Sequence, residues 1–67
     1  MSQHVTAIQK AIKQLVDERR EMVVALANTE QAEGAEGLRV QFVTVQSTIE
    51  ALGRALQEER KTGYGAL

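Results

Sequence analysis

Glu33-Gly34-Ala35-Glu36-Gly37 is the stretch on which the fold depends, because it places two glycines close together in a chain that has no proline. Glycine takes the left-handed conformation that ends a helix at little cost, so Gly34 reads as the stop of one helix. Gly37 then belongs to the entry of the next, although no Ser or Asp N-cap marks that boundary. Everything from Ser2 to Glu33 is free of glycine and rich in Ala, Gln, Glu, Lys, Arg and Leu. Those are good helix formers, and the expectation is helix 1 over about 2–33, a turn at about 34–37 and helix 2 over about 37–60. The last residues, 61–67, read as a flexible C-terminal tail around Gly63, Tyr64 and Gly65.

On both sides of the turn the apolar residues alternate at steps of three and four. In the first half they are Val5, Ile8, Ile12, Leu15, Met22 and Leu26, with Arg19 in the one missing position. In the second they are Leu38, Phe42, Val45, Ile49, Leu52 and Leu56. This is the a/d seam of a coiled coil. Facing positions of an antiparallel pair have residue numbers with a nearly constant sum. Leu15/Leu52, Met22/Val45 and Thr29/Leu38 add to 67, and Ile12/Leu56, Arg19/Ile49 and Leu26/Phe42 add to 68. The centre of that register falls between residues 33 and 34, at the glycines. One continuous helix is the rival; it would carry both glycines internally and set polar Thr29, Glu33 and Glu36 in the seam. The hairpin is the preferred reading: an all-α, coiled-coil-like pair of antiparallel helices.

Such a pair is too small to stand alone comfortably. At 67 residues without cysteine, neither disulfides nor thiolate metal sites are available, and association is the remaining way to enlarge the core. The apolar surface also exceeds one seam. Val16 and Val23 lie at e, and Ala11 and Ala25 at g, which widens the stripe of helix 1 to bundle width. A dimer completing a four-helix bundle is therefore expected. Val24, Ala27, Val40 and Val43 fall outside the seam near the turn, where the 67 register sets Val24 against Val43 and Ala27 against Val40. They form an apolar shoulder that is either core of the larger bundle or a docking surface. Arg19 at an a position is a candidate register or partner device, reaching an acid such as Glu50 on a neighbouring chain. Gly53, beside Leu52, is a candidate for close approach of a neighbouring helix, which Ala51 and Ala55 also permit.

Chemistry is not written in the sequence. Asp17, Glu18, Glu21, Glu50, Glu58 and Glu59 lack the Glu-x-x-His pairs of a di-iron bundle, His4 is the only histidine, and no phosphate loop follows Gly34 or Gly37. No nucleophile has an adjacent base, so no enzyme, cofactor, metal or small-molecule substrate is expected. Eight Lys/Arg against nine Asp/Glu give a net charge of −1, and on helix 1 Lys10, Lys13, Arg19 and Arg20 stand against Asp17, Glu18, Glu21 and Glu30. That balance argues against a nucleic-acid partner. No apolar run approaches the roughly 20 residues of a membrane span, and the N-terminus lacks a signal-peptide pattern, so a cytoplasmic protein is expected.

In size and architecture the chain resembles the small hairpin chaperones of bacterial secretion systems. That resemblance implies an adaptor, assembly factor or chaperone-like module, bound to itself or to a helical protein partner. It is also similar in pattern to the Rop-type plasmid regulators, short hairpins that dimerise into four-helix bundles and bind RNA. A structural subunit of a phage or plasmid-borne assembly is a third expectation, and it would use the same surfaces.

Overall fold

The structure, a computed structural model, describes residues 3–29 and 32–65, with side chains over 3–29 and 35–61. Two helices account for it: α1, Gln3–Asn28, and α2, Ala32–Gly65. They pack against each other along their length as a rod of 55 × 14 × 11 Å. The two-helix, all-helical architecture expected from the periodicity is present.

The turn lies earlier than the glycines suggest. Helix α1 stops at Asn28, where the Thr29 amide donates to the Leu26 carbonyl at 3.3 Å and the Thr29 hydroxyl donates to the Ala25 carbonyl at 2.7 Å. Those two bonds satisfy carbonyls that the end of the helix leaves without partners. Asn and Thr are also weaker helix formers than the residues before them, which makes this a natural place to stop. Glu30 and Gln31 lie outside the described residues. Gly34 and Gly37 are internal to α2, and no described glycine has a positive φ. The turn expected at 34–37 is thus corrected to the short connection between Asn28 and Ala32. Physically, a glycine inside a helix costs only about 1 kcal/mol relative to alanine, and flanking Ala32, Ala35 and Glu36 favour helix. At the far end α2 runs through Gly65, so residues 61–65 are helical and not an extended tail; Ala66 and Leu67, like Ser2, lie outside the described residues.

Moving the turn moves the register. A side-chain hydrogen bond between the helices joins Arg19 to Gln46, whose numbers add to 65, below the 67–68 expected. The register nearest to that bond that sets the two seams face to face has a sum of 64, and we infer it for the whole hairpin. It sets the a residues Val5, Ile12, Arg19 and Leu26 against Glu59, Leu52, Val45 and Leu38. It sets the d residues Ile8, Leu15, Met22 and Thr29 against Leu56, Ile49, Phe42 and Ala35. Every one of these residues is buried or half-buried. The layers therefore alternate a against d rather than pairing like with like, and Ala35, Thr29 and Glu59 join the seam. In this register α2 overhangs α1 by about one turn at each end.

The seam closes but does not bury deeply. Val5 and Ala35, 5% and 6% exposed, are the buried residues among those described, and no large side chain there is fully enclosed. A radius of gyration of 15.6 Å compares with about 11 Å for a compact domain of this length.

Candidate interaction surface

Helical geometry divides the outside of the rod. At 100° per residue, the e positions of both helices flank one side of the seam and the g positions the other. Beyond e lies b, beyond g lies c, and f points away from the neighbouring helix. This defines an e/b face and a g/c face.

A polar relay runs across the e/b face. Arg19, half-buried in the seam, donates from Nη1 to Gln46 Oε1 at 2.9 Å, and Gln46 Nε2 donates to Glu50 Oε2 at 2.9 Å. The amide is oriented by opposite charges at its two ends: its oxygen meets the guanidinium and its NH2 meets the carboxylate. Arg19 and Glu50, expected to meet between chains, are instead connected within one chain through Gln46. Sequence reasoning did not single out Gln46. Its signal was its e position beside Val45, the residue that faces Arg19 once the register is known. Asp17 reaches Arg20 at 3.9 Å between exposed side chains. Such a surface pair contributes little.

The apolar residues expected outside the seam are at the surface. Val23 is 50% exposed, and Val24, Val40 and Val43 are each 60% exposed. Ala27 is exposed as well, whereas Val16, Ala11 and Ala25 are half-buried. The corrected register rearranges the shoulder. Val24 and Val40, both at f, stand at one level on opposite outer edges of the rod. Val23, Ala27 and Val43 share the e/b face, in line with Val16. Gly53 is also on this face, and a Cβ built there meets nothing within 4 Å. The close approach expected at Gly53 is therefore not made within the hairpin.

Charge divides along the same line. Lys13, Arg20, Arg39 and Arg60 lie on the e/b face with Glu36 and Glu50. The g/c face carries Glu18, Glu21 and Glu58, with no Lys or Arg, among small residues such as Ala7, Ala51 and Thr44. The Thr48 hydroxyl on that face donates to the Thr44 carbonyl at 2.8 Å. Among the described residues no group of three or more His, Cys, Asp or Glu is placed to hold a metal ion. No described helix is long and apolar enough to cross a membrane.

The amount of surface is as informative as its pattern. The accessible area is 5306 Å² for a chain of 7.4 kDa. A typical folded monomer of that mass exposes about 4,200 Å², so the hairpin leaves about 1,100 Å² in excess. No family model matches the chain, and no curated protein or solved structure is similar to it.

Proposed function

We propose that this chain is a non-enzymatic protein–protein interaction module that completes its core by self-association, two hairpins forming a four-helix bundle. The observation that carries the reading is the excess of about 1,100 Å² of surface. An obligate homodimer interface removes about 1,000 Å² or more from each partner, so one second copy of the hairpin is the right size to absorb it. Half-buried seam residues and the exposed Val23 and Val43 on one face point the same way, since a second copy would cover them. Adaptor, assembly-factor and structural roles all use such a bundle.

The test is molar mass by light scattering across a range of concentrations, combined with thermal unfolding. Twice the chain mass and a melting temperature that rises with concentration support the reading. A helical monomer that unfolds cooperatively at a concentration-independent temperature overturns it.

A polyanion-binding regulator is the second reading, and one observation favours it. All eight Lys and Arg residues lie at a, b, e or f positions, none at c or g. Retention of RNA that weakens steeply with salt would support that reading over the first.

A further inference from the structure

We propose that two copies pair through their e/b faces with both turns at the same end of the bundle, α1 of each lying against α2 of the other. The proposal rests on the self-association reading and adds to it the face, the orientation and the contacts.

The e and b positions form a second seam with steps of three and four. On α1 it runs Lys13, Val16, Arg20, Val23, Ala27, and on α2 Arg39, Val43, Gln46, Glu50, Gly53. A two-fold axis parallel to the helices keeps residues at their own height, so the pairing sum between copies must stay close to the 64 found within the hairpin. The nearest sum that sets e against b is 66. It places Val23 on Val43 of the second copy, joining two side chains that are 50% and 60% exposed in the single hairpin. It sets Arg20 on Gln46 and Lys13 on Gly53, where open space takes the place of a side chain. Glu50 of the second copy then falls between Lys13 and Arg20, one carboxylate flanked by two cations. The Arg19–Gln46–Glu50 relay lies in the middle of this contact and fixes where Glu50 stands.

The opposite orientation, with the turns at opposite ends, is disfavoured by the same residues. It brings α1 against α1 of the second copy and sets Val23 on Lys13 and Val16 on Arg20. Lys13 and Arg20 are then brought together with no e/b carboxylate between them; the same-end arrangement also sets Val16 on Glu50 and Ala27 on Arg39, but it keeps Glu50 between the two cations. The g/c face is also a poorer candidate: its charges, Glu18, Glu21 and Glu58, share one sign and repel across a symmetric contact.

The natural chain has no cysteine, so single labels can be introduced cleanly. A spin label at Asn28→Cys, exposed at the end of α1, reports orientation by pulsed dipolar spectroscopy. From helix spacing and a 1.5 Å rise, turns at the same end give about 25–30 Å between labels and turns at opposite ends about 45 Å. We expect the short distance. Val23→Glu with Val43→Glu should convert dimer to monomer, while Ala7→Glu with Thr44→Glu on the g/c face should leave the dimer intact. A charge exchange provides a second arm that leaves the valines and the fold they help cover unchanged. Lys13→Glu should weaken the dimer about tenfold, its two symmetric contacts each contributing several-fold, and adding Glu50→Lys should restore it. A dimer with the long distance, or one broken only by the g/c variants, overturns this arrangement and leaves the self-association reading standing. A parent chain that is monomeric overturns both.

Discussion

Replacing Gly37 by alanine tests whether this glycine lies inside a helix or in a turn. Gly37 is internal to α2, exposed, at a c position, and a Cβ added there meets nothing within 4 Å. The substitution therefore introduces no clash and removes the backbone freedom that glycine loses on entering a helix. The gain is about 1 kcal/mol, the difference between glycine and alanine in a helix interior, much of it exerted on the unfolded chain. For a domain of this size that raises the melting temperature by about 4–8 °C. The assay is thermal unfolding followed by circular dichroism, with parent and variant at one fixed concentration because association alone shifts the midpoint. If the chain instead turned at residues 34–37 with Gly37, rather than the Gly34 expected to stop the first helix, left-handed, the new methyl group would cost about 1–2 kcal/mol. A fall in melting temperature would refute the helical assignment and, with it, the register summing to 64.

Three further outcomes follow from the same geometry. Thr29→Val keeps the branched shape but removes the hydroxyl bonded to the Ala25 carbonyl at 2.7 Å; a loss of about 1 kcal/mol in urea unfolding is expected, and no loss would mean that bond does not hold the end of α1. Leu15→Ala removes a half-buried seam residue facing Ile49; it should cost about 2 kcal/mol, the low end for large-to-small core changes, and parent-like thermal unfolding would count against the seam. Arg19→Leu replaces a charge at a seam position by a matching apolar group; a gain of about 1 kcal/mol is expected, and a loss would show that the bond to Gln46 outweighs the cost of seating a guanidinium there.

The architecture was legible because it depends on many residues at once. Twelve apolar positions keep one period across two stretches, and no local choice overrules that pattern. The turn depended on a few residues, and there the strongest local signal was misleading. Gly34 and Gly37 permit a helix to end but do not require it, while Asn28 and Thr29 end it through a hydroxyl bond that is hard to distinguish in sequence from an ordinary helical threonine. The error then propagated. A turn placed several residues late gave a register in which a faces a and d faces d, hid Ala35 and Glu59 from the seam, and paired Val24 with Val43. Surface valines survive such an error, since exposure at e, b and f positions follows from the heptad alone. The relay does not, because Gln46 becomes the neighbour of Arg19 only when the register is right.

Net charge illustrates why the site needed the fold. A value of −1 describes a chain with nearly equal cations and anions, and as a sum it argues against any charged partner. Arranged on two antiparallel helices, the same residues give one face with cations, acids and valines together and another with acids but no Lys or Arg among its polar and small residues. A symmetric contact must satisfy each residue of a face with another residue of that face. The e/b face can do so, since it holds Lys13, Arg20 and Glu50 at heights where they meet and Val23 and Val43 where they cover each other. The g/c face has no cation to offer. If its acids take part in recognition at all, the complement must come from a different molecule, and a basic partner added to the proposed dimer would engage that face without dissociating it.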